Sequence, residues 1–142
     1  MRGALLLVCA ASVAVSAQAA KTFKTRLSPV PIDLTMQANV AGSGTVTATL
    51  TGTKLTINGS FEGLKSPATT AKLHKSPVRG VRGPEILSLT VSTGTSGTIG
   101  GSFDLTPQQV NDLQAGRLYV QVQSEKAPDG NLWGWLLAQD KK

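Results

Sequence analysis

Apolar and polar side chains alternate along much of this chain with a period of two. Between Thr45 and Leu50, Val46, Ala48 and Leu50 fall on one face and threonines on the other. After a turn at Thr51-Gly52, Leu55, Ile57 and Gly59 alternate with Thr56, Asn58 and Ser60. That pair predicts a β-hairpin of half-buried strands. The same period returns in Thr69 to His74, with Ala71 and Leu73 facing one way and Lys72 and His74 the other. It returns again where Leu118, Val120 and Val122 oppose Tyr119, Gln121 and Gln123, and in a last strand, Asn131 to Ala138. There Trp133 and Trp135 share one face, and Leu132, Gly134 and Leu136 the other. Thr22–Leu27 and Ile86–Val91 read as further strands.

Between these runs lie breakers. Ser28-Pro29-Val30-Pro31 ends the first strand in an extended crossing, since neither proline can donate to a ladder. Gly94, Gly97, Gly100 and Gly101 bracket a Thr/Ser-rich turn, and Ala127-Pro128-Asp129-Gly130 predicts the turn of the last hairpin. One stretch reads as helix: Thr106 caps it, Pro107 opens it, Val110 and Leu113 share a face and Gly116 stops it. Eight or nine short strands with one short helix predict an all-β, antiparallel sandwich or Greek-key barrel.

The first residues change the picture of where the chain works. Met1-Arg2, an apolar run from Gly3 to Val15 and the small residues of Ala17-Gln18-Ala19 have the layout of a secretory signal. Residues 1–19 are therefore expected to be cleaved, leaving 20–142 as one exported domain, periplasmic or extracellular, with no membrane span. Cys9 is the only cysteine, so the expected mature domain has none. That excludes disulfides, thiolate catalysis and cysteine-ligated metal. Without Arg2, thirteen Lys and Arg stand against eight Asp and Glu, a net charge of about +5. Such a balance favours anionic surfaces, whereas export and few aromatics near the basic residues argue against nucleic acid.

The stretch Leu105, Thr106, Gln109, Leu113, Gly116, Tyr119, Val120, Val122, Pro128, Gly130, Gly134 and Leu136 resembles, in order and spacing, the C-terminal half of the CHRD domain. That module is named from chordin and also occurs in bacterial secreted proteins. Ala71-Lys72-Leu73-His74, against the family's A-H-I-H, extends the resemblance over most of the expected mature chain. The resemblance implies an immunoglobulin-like or superoxide-dismutase-like β-sandwich or barrel. It also implies a histidine cluster suited to copper or zinc, because alternate strand residues put imidazoles on one face. Here the first histidine position is Lys72, the third is Gln123 and the acidic position is Asn131, so His74 is the only metal candidate. No metal site and no cofactor are expected, and His74 reads as a solvated surface histidine.

Catalysis has no legible residue set. There is no Gly-x-Ser-x-Gly elbow, and one histidine limits any serine triad to His74. Asp104, Asp112 and Asp129 read as caps, turn residues or solvated charges rather than a carboxylate pair. Binding is better represented. Lys72, Lys75, Arg79 and Arg82 make 72–84 the most basic stretch outside the termini. It reads either as a docking loop for phosphate, sulfate or carboxylate, or as an exposed loop kept soluble by its charge. Tyr119, Gln121 and Gln123 beside Trp133 and Trp135 form either an exposed face for a sugar or protein partner or part of the core. The sequence thus points to an exported, non-catalytic module binding a protein or an anionic or glycan surface. Copper handling and a purely structural envelope or matrix role are the alternatives.

Overall fold

A computed structural model describes residues 19–139. Apart from Ala19, the expected leader with Cys9 lies outside them. The elements run β1 (Lys21–Pro29), β2 (Ser43–Thr51), β3 (Lys54–Glu62), β4 (Ala68–Lys75), β5 (Glu85–Val91), β6 (Gly97–Asp104), α1 (Pro107–Gln114), β7 (Leu118–Ser124), β8 (Ala127–Trp135) and β9 (Leu137–Ala138).

The spatial order β1-β2-β3-β6-β5-β4-β7-β8 returns to β1, and β9 lies alongside β1. Closing the ring removes the exposed edges that an open sheet would present. Two of the hairpin-connected strands' neighbours, β3 beside β6 and β7 beside β4, arrive by long connections, which is Greek-key order. β1 and β5 are the corners. β1 pairs with β2 along Lys21–Leu27 and then hands Ser28 and Pro29 to β8. β5 pairs with β4 as far as Leu89 and then with β6 at Thr90 and Val91. The barrel is thus flattened into two sheets, β1-β2-β3-β6 and β5-β4-β7-β8. Inward residues such as Phe23, Leu27, Leu55, Ile57, Leu73 and Leu132 fill the space between them at 1 % exposure or less. The closed circuit lies wholly within residues 21–138.

Helix α1 forms as its sequence dictates. The Thr106 hydroxyl accepts from the Gln109 N–H at 3.2 Å, Gln109 Oε1 accepts from the Thr106 N–H at 3.0 Å, and Gly116 follows at φ 73°.

Three expectations are corrected. Gly100 and Gly101 do not belong to a turn: they lie inside β6, paired with Asn58 and Ile57. The missing side chain at Gly101 is where the Phe103 ring packs, since a Cβ there would stand 2.6 Å from the ring. The β7–β8 turn is Glu125-Lys126 rather than Ala127–Gly130. Its N–H groups are held from outside the hairpin, Glu125 by the Pro67 carbonyl at 3.0 Å and Lys126 by the Ser66 hydroxyl at 2.9 Å. Pro128-Asp129-Gly130 is instead a bulge in β8, between the pairs Ser124↔Ala127 and Val122↔Leu132, with Gly130 at φ 131°. Finally, Asp112 is neither a cap nor solvated. It is 4 % exposed, ion-paired to Lys75 at 3.1 Å and hydrogen-bonded by Gln108 at 3.1 Å.

Candidate functional site

Strand register places six of the sequence-picked residues in two rows on the outer face of β4, β7 and β8. One row reads Lys72, Gln121, Trp133 and the other His74, Tyr119, Trp135. Gln123 continues the face opposite Thr70, whose hydroxyl it accepts, and donates to the Pro128 carbonyl at 3.2 Å.

The second row is a continuous aromatic stack. His74 lies 4.8 Å from Tyr119 with the rings 15° from parallel. Tyr119 is tilted on Trp135 at 4.7 Å and meets Trp133 edge-on at 5.9 Å, and the two indoles are 4.8 Å apart. Such offsets and edges are the favourable geometries for rings. The tryptophans are half-buried: their side chains are outside the core, yet they are not free in solvent.

The β4–β5 connection, residues 76–84, lies over this face at Tyr119, His74 and Trp133. Its neck is closed by the Lys75 N–H on the Pro84 carbonyl at 2.9 Å. Fully buried Ser76 is its hub, bonding through its N–H to the Arg117 carbonyl at 2.8 Å and through its hydroxyl to the carbonyls of Val78 and, at 2.6 Å, Val81. Gly83 is the clamp. Its N–H donates to the Tyr119 hydroxyl at 2.9 Å, and its carbonyl accepts from that hydroxyl at 3.1 Å. The same carbonyl lies 2.9 Å from His74 Nδ1. A carbonyl only accepts, so His74 carries its proton on Nδ1. A Cβ at position 83 would collide with the Lys75 carbonyl, which makes glycine the residue that lets the strap lie flat. A further correction concerns β7, which is not half-buried: six of its seven residues are buried, Tyr119 under the strap and Gln121 against the Asp129-Gly130 bulge of β8.

The four basic residues do not converge. Lys72 is ion-paired to Glu85 at 2.5 Å, and this neighbour holds the Glu85 carboxyl below its usual range. Lys75 is taken by Asp112. The Arg79 guanidinium lies over Gly116, where a Cβ would approach Nη2 to 3.0 Å. Arg82 donates from Nη1 to the Asp129 carbonyl at 2.7 Å and sits 5.5 Å from the Trp133 ring centroid, a cation–π distance. Among the described residues neither arginine pairs with a carboxylate.

A metal does not fit this face. His74 is half-buried rather than solvated; Nδ1 is bonded to Gly83, and Nε2 is sealed from solvent without a partner among the described residues. Gln121 Oε1 and Trp135 Nε1 are sealed in the same way. The Gln123 amide is engaged, and fully buried Asn131 donates to the Ser124 hydroxyl at 2.9 Å while accepting from the Ala41 N–H at 3.3 Å. No three His, Asp or Glu side chains among the described residues gather as ligands would.

Gly83, Ser76 and Glu85 were missed from the sequence. Ser76-Pro77 and Gly83-Pro84, the two ends of the loop, were the only local signals.

Fold and site together define a closed β-barrel module with one outer face strapped by a loop and the opposite face bare. Its family model matches residues 23–136, and the chain belongs to the CHRD domain family. No curated protein and no solved structure matches it.

Proposed function

We propose that this CHRD domain is an exported, non-enzymatic binding module whose recognition element is the strap, residues 76–84, and whose partner is negatively charged. The observation that carries this reading is the Gly83 clamp. A loop tied to Tyr119 and His74 holds Arg82 against half-buried Trp133 and carries Arg79 over Gly116, with no carboxylate among the described residues to neutralise either. A pre-ordered loop loses little conformational freedom on binding, and arginine grips phosphate, sulfate and carboxylate in a fork. Lys72 and Lys75, neutralised within the fold, play no part in recognition. We read the barrel as the superoxide-dismutase-like Greek-key type, which its closed eight-strand order supports, but without dismutase chemistry: the chain has one histidine, and its Nε2 is sealed.

Dextran sulfate tests the reading. Residues 20–142 should bind it, and Arg79→Gln with Arg82→Gln should weaken binding about fivefold to tenfold, two exposed charge contacts of about 0.5–0.7 kcal/mol each. Lys24→Gln with Arg26→Gln, on the far face, should leave it unchanged. Equal losses in both double variants would mean diffuse attraction and no recognition loop.

A further inference from the structure

The exposed large apolar side chains among the described residues are Ile32, Leu34, Val78 and Val81, at 40, 84, 65 and 49 %. They fall on two loops: Ile32 and Leu34 on the β1–β2 connection, Val78 and Val81 on the strap. Both loops rest on Trp133. Val30, Val40 and Ala127 form a small satellite core against which Met36 and Trp133 pack, while Arg82 lies against the same indole.

Neither loop is loosely held. The Asp33 carboxylate accepts from the Thr35 N–H at 2.9 Å, the Thr35 hydroxyl at 2.6 Å and the Met36 N–H at 3.1 Å. Val30 N–H bonds the Asn131 carbonyl at 3.0 Å, and Ser76 organises the strap. In both loops the polar groups satisfy the turn, and these four apolar side chains are left exposed. Single exposed apolar residues need no explanation, but four on two ordered loops that share one tryptophan form a patch.

We infer that these loops form one docking edge for the surface of a bilayer containing anionic phospholipid. The inference rests on the reading of the strap as the recognition element and names its partner. Ile32, Leu34, Val78 and Val81 enter the acyl boundary, Trp133 lies at headgroup level, and Arg79 and Arg82 meet phosphates. Charge supports lipid: among the described residues the arginines lack carboxylate partners. Shape supports it too. The exposed apolar side chains project from two loops that meet at Trp133 and Arg82, which a fluid acyl boundary accepts. A protein partner would need a continuous complementary surface. No helix among the described residues is long and apolar enough to cross a membrane, so the contact is peripheral.

The test uses residues 20–142 and vesicles of phosphatidylcholine with or without phosphatidylglycerol. Both tryptophans of the chain are Trp133 and Trp135, so intrinsic fluorescence reports on the patch directly. Flotation with the anionic vesicles, a blue shift in emission and quenching by brominated acyl chains are expected. Ile32→Ser with Leu34→Ser, both exposed and both outside the strap, should lower vesicle partitioning at least about tenfold and leave dextran sulfate binding unchanged. Vesicle binding indifferent to that double variant overturns insertion. Dextran sulfate binding without vesicle binding overturns the lipid assignment alone and leaves an anionic polymer or protein as the partner. Binding to neither probe removes the recognition strap as well.

Discussion

The two sheets of the barrel have opposite outer faces. On β1-β2-β3-β6 the cross-strand rows read Thr22-Thr49-Thr56-Ser102, Lys24-Thr47-Asn58-Gly100 and Arg26-Thr45-Ser60-Thr98. They contain no aromatic or large aliphatic side chain, and along β3 burial alternates residue by residue over most of the strand. On β4-β7-β8 the corresponding rows hold a histidine, a tyrosine and two tryptophans under a loop. The first face meets water directly through hydroxyls and charges. The second has too much ring surface to leave bare, and the chain supplies its own cover. Outward positions are interchangeable on one side and structural on the other.

The largest break in that contrast should come from Tyr119→Ala. It empties the middle of the stack and strands the Gly83 N–H, so we expect a loss of about 3–5 kcal/mol in chemical denaturation. Asn58→Ala, also outward but on the bare face, should change stability by no more than about 0.5 kcal/mol. Gly83→Ala comes next. Its Cβ runs into the Lys75 carbonyl, so the neck of the strap must open, costing about 1–3 kcal/mol and raising amide exchange across 76–84 before the barrel strands. Asp112→Asn should cost about 1–2 kcal/mol: its carboxylate is buried, but Lys75 keeps over a third of its side chain in water, which lowers the value of the pair.

The smallest effect is electrostatic. Lys72 depresses the Glu85 carboxyl below its ordinary value of 4.5, so the unfolded chain binds that proton more readily than the folded one. The stabilisation is fully present above that ordinary value and disappears as pH falls through the depressed folded one. A small difference in urea midpoint between the parent chain and Glu85→Gln at pH 7 should therefore close as the solution is taken well below pH 4.5.

The same contrast explains what could be read from the sequence. β2 and β3 were legible because one face is in the core and the other in water, so the pattern of Val46, Ala48 and Leu50 against threonines is the pattern of burial. Helix α1 was legible because capping is local. The family was legible from residue order between Leu105 and Leu136. The β7–β8 turn was not, because the groups that fix it, Ser66 and Pro67, lie about sixty residues away in sequence. Tyr119 and Gln121 fall on the face the alternation predicts, but Gln121 is covered by the β8 bulge and Tyr119 by Gly83, and no local rule says that a Gly-Pro loop will fold back onto a strand 36 residues on. Asp112 failed for the same reason: its partner Lys75 comes from another element.

Acrylamide quenching of tryptophan emission, compared between residues 20–142 and the Gly83→Ala variant, tests the strapped face most directly. A loop pinned on the aromatic stack predicts partial quenching in the parent and clearly stronger quenching in the variant, with the far-ultraviolet circular dichroism of the barrel unchanged. Indoles that quench like free tryptophan in both proteins would contradict it, because the aromatic face would then stand open and the strap would hold nothing in place.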